Sequence, residues 1–149
     1  MQGHAVEVRF KRLRPGAQVP AYQSDHAAGL DLHACLEAPV TLAPGDIAMV
    51  PCGFAMAIPH GFEGQVRPRS GLSTKFGISM PNAPGTVDSD YRGEMMVPLI
   101  NLGRGAFTVE HGMRVAQMVI APVARASVRE VDELDGTARG HGGFGSTGR

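Results

Sequence analysis

Arg139, Phe144, Ser146 and Thr147 fall within one glycine-rich stretch at the end of the chain, Arg139-Gly-His-Gly-Gly-Phe-Gly-Ser-Thr-Gly-Arg149. From Gly136 onward six of fourteen residues are glycine, and Phe144 is the one large apolar side chain. Glycine is entropically costly to order and adds nothing to a core, so residues 136–149 are expected to be a flexible arm. That arm still offers a cation, two adjacent hydroxyls, an aromatic face and unshielded N–H groups, a set suited to an anion joined to a flat ring. Gly140-x-Gly142-x-x-Gly145 matches a dinucleotide fingerprint in letters, but no strand–helix unit surrounds it. Gly140-x4-Gly145-Ser146-Thr147 resembles a phosphate-binding loop, yet serine stands where the lysine must be and no helix follows.

Four internal segments also mix charge, glycine and hydroxyls. In Ala28-Gly-Leu-Asp-Leu-His-Ala34, Asp31 sits between apolar neighbours at strand spacing, which suits a turn or salt bridge better than a ligand. In Arg67-Pro-Arg-Ser-Gly-Leu-Ser73, Arg67 and Arg69 lead into Ser70 and Gly71 at an expected helix start, where free N–H groups favour an anion; an ordinary helix cap explains the letters equally well. Asn82-Ala-Pro-Gly-Thr-Val-Asp-Ser-Asp-Tyr-Arg-Gly93 places a tight turn at Pro84-Gly85 before Asp88, Asp90 and Tyr91. Carboxylates beside an aromatic could activate water next to a stacked sugar, and a polar hairpin loop fits nearly as well. In the fourth, Arg114 and Gln117 interrupt an apolar strand, which reads as a salt bridge on an edge strand.

Composition narrows the partners. The 149 residues fit one domain, and the formal net charge is zero with basic residues scattered, so neither nucleic acid nor an anionic membrane is an expected partner. No apolar run approaches the ~20 residues of a membrane span. The N-terminal stretch lacks an apolar signal core, which points to the cytoplasm. The six histidines have no ligand spacing, and Cys35 and Cys52 read as reduced core residues.

The elements that must position these groups are strands. Val6, Val8 and Phe10 alternate with polar residues, Phe54 to Ile58 alternates large and small, and Met95–Leu102 and Met113–Val123 are short apolar runs. Turn signals separate them at Arg14-Pro-Gly, Ala43-Pro-Gly-Asp, Pro59-His-Gly and Glu110-His-Gly, giving an all-β sandwich or barrel. One short helix is expected at Ser70–Lys75, capped by Ser70. Residues 15–31 read as a long loop.

In order, AGLDLHA at 28–34, RPRSGLS at 67–73, NAPGTVDSDYRG at 82–93, GMRVAQM at 112–118 and RGHGGFGSTG at 139–148 resemble the five motifs of the trimeric dUTPase family. The resemblance implies a jelly-roll-like (β-clip) domain over residues 1–135, with residues 136–149 as an arm closing over the active site. It also implies Mg²⁺-dependent hydrolysis of dUTP to dUMP and pyrophosphate, which limits uracil in DNA and supplies dUMP for thymidylate synthesis, in a homotrimer with sites between subunits. By motif position Asp88 holds and deprotonates the water, Tyr91 packs against the deoxyribose, and Asn82 with Gly85, Thr86 and Val87 reads uracil. Arg69, Ser70, Gly71 and Gln117 serve the phosphates. Arg139, Gly145, Ser146 and Thr147 clamp the terminal phosphate while Phe144 stacks on uracil. Asp31 is expected near the metal's water shell, orienting Arg69, with Mg²⁺ held mainly by the triphosphate. The alternatives are a deaminase related to dCTP deaminase and a catalytically silent deoxynucleotide-binding regulator.

Overall fold

A computed structural model describes residues 5–148; His4 and Arg149, at the two ends, lie outside it. Turn residues cut the chain into short strands: β1 (Arg9–Arg12), β2 (Leu30–His33), β3 (Val40–Leu42), β4 (Ile47–Pro51), β5 (Phe54–Ala57), β6 (Phe62–Arg67), β7 (Ile78–Ser79), β8 (Gly85–Val87), β9 (Met96–Asn101), β10 (Phe107–Val109) and β11 (Arg114–Pro122). One helix, α1 (Ser70–Phe76), interrupts them. The strands form four antiparallel sheets, ordered β2-β11-β6-β8, β4-β9-β7, β1-β5 and β10-β3. No helix among the described residues is long and apolar enough to cross a membrane.

Period-two alternation sends one side of β9 and β10 inward, while β5 is buried on both faces. Val97, Leu99 and Asn101 of β9 are buried while the residues between them are partly exposed, and Phe107 and Val109 flank an outward Thr108. All four sheets feed one core that includes Leu32, Phe54, Leu99, Phe107 and Met118. The result is the expected all-β, jelly-roll-like sandwich, with separate sheets and no closed barrel. Cys35 and Cys52 are free and buried, as expected. Burial, followed by the charge of Glu94 and the neighbouring Cys35, pushes the Cys52 thiol up to about 12, so it stays protonated.

Several local expectations give way to tertiary context. Strand β1 begins at Arg9 and not at Val6, because its partner β5 ends at Ala57, opposite Arg9, and Pro59 soon follows. Ser70 does not cap α1: Arg69 holds the extended cap conformation (φ −90°, ψ 132°) with no side-chain cap bond, and Ser70 is the first helical residue. The tight turn lies at Met80–Ala83, closed by the Ala83 N–H to the Met80 carbonyl (3.2 Å), and Gly85 already opens β8. Strand β11 lies between β2 and β6 from Gln117 onward, so Gln117 is not on an edge, whereas Arg114 pairs with β2 alone and makes the expected salt bridge, to Asp31. The long 15–31 loop holds up to Leu30, with one bridge between Ala21 and Asp31.

Asn101 joins three segments from a fully buried position. Its Nδ2 donates to the carbonyls of Leu42 (2.9 Å) and Gly105 (2.8 Å), and its Oδ1 accepts from the Gly103 N–H (2.9 Å). Truncation strands three backbone groups at once. Asn101→Ala should therefore lower unfolding stability by about 2–4 kcal/mol, read as a lower midpoint in urea at unchanged slope.

Candidate active site

Pairing in the four-stranded sheet builds the first half of the site. Gln117 on β11 is level with Asp31 on β2 and with Arg67 on β6, so three polar residues share one rung. Asp31 is 7% exposed. A carboxylate that buried needs cationic partners, and it has two: Arg69 Nε lies 3.4 Å from Oδ1 and Arg114 Nη1 lies 3.3 Å from Oδ2. Arg69 also donates to the Arg114 carbonyl at 3.4 Å. The Gln117 Nε2 donates to the Pro68 carbonyl (3.0 Å), tying the loop ahead of α1 to the sheet.

These groups line a cavity of about 300 Å³ together with Ser70 and Gly71. Ser70 and Gly71 are exposed, and nothing lies within 4 Å of where a Gly71 side chain would begin. Two guanidiniums face one carboxylate, so the pocket keeps a positive balance of one. Beside it, burial holds His33 below its usual pKa, opposed by Asp31 and reinforced by Arg114 and Arg69, and its buried Nδ1 has no hydrogen-bond partner. Sequence reasoning missed Gly29: a Cβ there would come within 2.5 Å of Gln117 Oε1, so the amide's place in the pocket requires glycine. The one signal was a small residue two positions before Asp31.

The second half is the segment 82–93 around β8; because β8 pairs with β6 and β9 joins another sheet, the expected polar hairpin is a turn between two sheets. Gly85 and Val87 are buried, whereas Asn82, Thr86, Asp88 and Tyr91 are exposed. The Tyr91 N–H closes a turn onto the Asp88 carbonyl (3.1 Å), and the Tyr91 hydroxyl donates to the Glu94 carbonyl (2.8 Å). Asp88 and Asp90 border a larger cavity of about 650 Å³ that also meets His60, Glu63 and Arg125.

The two halves do not meet within one chain. Val87 pairs with Gly64, so Asp88 stands four rungs from the Gln117 rung, and β8 is three strands from β2. At about 3.3 Å per residue and 4.8 Å per strand, the backbones of Asp31 and Asp88 are roughly 20 Å apart. The arm forms a third, separate part. Among the described residues its hydrogen bonds close on itself, such as Arg139 Nε to the Gly142 carbonyl (2.7 Å) and the Ser146 N–H to the Gly143 carbonyl (3.0 Å). Phe144 is fully exposed with φ 50°, and Arg139, Gly145, Ser146 and Thr147 are exposed beside it. Thus Asp31, Arg69, Ser70, Gly71 and Gln117 are brought together, the residues of segment 82–93 form a second group, and the arm residues join neither.

The family model described as dUTPase matches residues 16–148. A deoxyuridine 5′-triphosphate nucleotidohydrolase of Rhizobium etli (strain CFN 42) is 62% identical over 135 residues, spanning 89% of this chain and 86% of the relative. Its counterpart in Desulfotalea psychrophila is 59% identical over 130 residues, covering 87% of each. The Staphylococcus bacteriophage 80alpha dUTPase, solved with dUpNHpp, superposes with a TM-score of 0.87 at 26% identity, over 96% of this chain and 99% of the phage protein. Agreement over nearly the whole length, in sequence and in backbone, leaves one conclusion: the chain belongs to the dUTPase family.

Proposed function

We propose that this protein hydrolyses dUTP to dUMP and pyrophosphate, at sites completed between copies of the chain in a homotrimer. The observation that carries this reading is the pocket around the buried Asp31, where Arg69, Arg114, Ser70, Gly71 and Gln117 converge on a space suited to phosphate oxygens. A separate exposed carboxylate and aromatic, Asp88 and Tyr91, supply the chemistry such a pocket lacks.

In this reading Asp88 accepts a proton from a water molecule as the water oxygen bonds to the α-phosphorus. The bond from that phosphorus to the α–β bridging oxygen breaks, and pyrophosphate leaves. The protein's work is positioning and charge neutralisation. Arg69, Arg114 and the amide of Gln117 orient the phosphates. Asn82 and the backbone of Gly85, Thr86 and Val87 read the uracil edge; cytosine exchanges a donor and an acceptor there and leaves groups unpaired. Tyr91 closes the space that a 2′-hydroxyl would need. Arg139, Gly145, Ser146 and Thr147 hold the terminal phosphate, and Phe144 covers the base.

The donor set fits a metal that arrives with its substrate. Among the described residues no three His, Cys, Asp or Glu side chains gather into a metal cluster, and both Asp31 oxygens already face arginines. Asp31 would meet Mg²⁺ through water, with the triphosphate as chief ligand. When bound, Mg²⁺ neutralises charge on the phosphate oxygens.

Assembly is supported by the separation of the two halves and by an apolar sheet face. Ile47 and Met49 of β4, 60% and 57% exposed, stand opposite Ile100 and Pro98 of β9, a surface suited to burial against another copy.

Pyrophosphate release in Mg²⁺ from dUTP, dCTP, dTTP and UTP tests the reaction: release from dUTP alone is expected, and ammonia from dCTP or silence with all four would overturn it. Asp88→Asn should retain nucleotide affinity and lose about 10²–10⁴-fold in rate, with Asp90→Asn losing less. Mixed assemblies of Asp88→Asn with Gly71→Phe, which fills the pocket from open space, should regain activity that neither variant has alone. Removing residues 139–149 should leave folding and assembly intact and slow turnover, by roughly 5- to 150-fold for the lost ~1–3 kcal/mol of base stacking alone.

A further inference from the structure

The ring of Tyr91 is held from behind by contacts that lie outside the substrate groups named above. Its hydroxyl donates to the Glu94 carbonyl at 2.8 Å, folding the side chain back along its own turn. The far edge of the ring then lies over Gly93: a Cβ there would stand 2.5 Å from the hydroxyl oxygen, 2.7 Å from Cζ and 2.9 Å from Cε2. Gly93 is not at positive φ, so the requirement for glycine is space for the ring and not backbone conformation.

Glu94 is itself tethered. Its carboxylate pairs with the guanidinium of Arg14 at 2.5 Å, and both side chains are part-buried, 27% and 40% exposed. Arg14 comes from the loop after β1. Its N–H donates to the Gly53 carbonyl (3.1 Å), and its Nη2 reaches the Cys35 carbonyl (3.5 Å). Next along the chain, the Met95 N–H donates to the Phe54 carbonyl (2.7 Å). Thus the turn is exposed, while the residue that receives the Tyr91 hydroxyl is fastened to the buried body at two adjacent positions.

We infer that Gly93, Glu94 and Arg14 are positioning residues that fix the Tyr91 ring and so set the discrimination between deoxyribose and ribose; this rests on the reading that Tyr91 packs against the sugar. A wall excludes a 2′-hydroxyl only if it cannot retreat. The absent Cβ at Gly93 lets the ring seat directly against the backbone, and the Arg14–Glu94 pair holds that backbone in place, so the seated ring has no room to retreat. Asp88, whose carbonyl accepts the Tyr91 N–H, belongs to the same turn, so an effect on proton transfer is common to both sugars and cancels in the ratio of dUTP to UTP turnover, which reads the sugar contact.

The test is the ratio of kcat/KM for dUTP to that for UTP in the full-length protein, for wild type, Tyr91→Ala, Gly93→Ala, Glu94→Gln and Arg14→Lys. Gly93→Ala displaces only the end of a side chain, so it should fold normally and lower the ratio about tenfold or more, since misplacement near 1 Å costs up to ~10²-fold. Glu94→Gln should lower it several-fold, and Arg14→Lys, which keeps the charge, should hold it near wild type. If Tyr91→Ala lowers the ratio but Gly93→Ala and Glu94→Gln do not, the inference is overturned and the sugar-wall reading survives. If Tyr91→Ala leaves the ratio unmoved, that reading fails and the inference with it. A merely structural role for the pair would lower thermal stability in Glu94→Gln without moving the ratio, and would also overturn it.

Discussion

A buried carboxylate between two arginines organises the first half of the candidate site. At 7% exposure, Asp31 is too far from water to carry its charge alone, and removing either arginine would leave a charge poorly compensated. The pairing therefore dictates where Arg69 and Arg114 sit. Arg69 is the cap residue of α1, so the same contact fixes the chain's entry into the helix and the exposure of Ser70 and Gly71. A guanidinium has five N–H donors. Each arginine turns one nitrogen toward Asp31 within 3.4 Å, leaving other donors for a ligand. Asp31 thus acts by aiming cations.

The antiparallel sheet imposes a second constraint. Strand spacing and rise are fixed by backbone hydrogen bonding, so residues four rungs and three strands apart cannot be drawn together by side-chain choice. Asp88 and the Asp31 pocket are in that relation. The sheet gives each half a rigid seat while separating it from the other half of its own chain. Under the proposed function, association would bring different copies' halves together without bending a strand, and an apolar β4–β9 face is compatible with that solution.

Much of this was legible in the residues. Gly and Pro punctuation marks the turns, short apolar runs mark β9 and β11, and Asp31 between apolar neighbours reads as a turn or salt-bridge residue, of which the structure shows the salt bridge. The misreadings share a cause: each depends on a partner that the local sequence does not contain. Gln117 reads as an edge residue because polar side chains in an apolar run usually face solvent, yet β2 and β6 flank it on both sides. Ahead of it the register of β11 on β2 shifts between Arg114 and Ala116, so Val115 and Ala116 are both buried while Arg114 stays exposed toward Asp31. A bulge there breaks the two-residue period. Ser70 was named the cap because serine caps well, whereas the backbone torsions of Arg69, held at Asp31, decided the boundary. The Arg14–Glu94 pair joins residues too far apart in sequence for any motif to link them.

The arm follows from the same electrostatics. A pocket whose two arginines already share a carboxylate retains little net charge for a triphosphate. More fixed cations in the body would have to be desolvated and held beside one another in the empty state, at a cost that rises with each added like charge. Under the proposed function, Arg139, on a glycine-rich segment that bonds only to itself among the described residues, would avoid that cost by staying in solvent until an anion is present. The compensating expense is backbone ordering on closure, largest for glycine. Under the proposed function that expense is useful. An arm that closed tightly without substrate would block entry, and one that closed too favourably over product would slow release. In that reading glycine content would set closure near balance, leaving the phosphate contacts and the Phe144 stack to decide which ligands hold it shut.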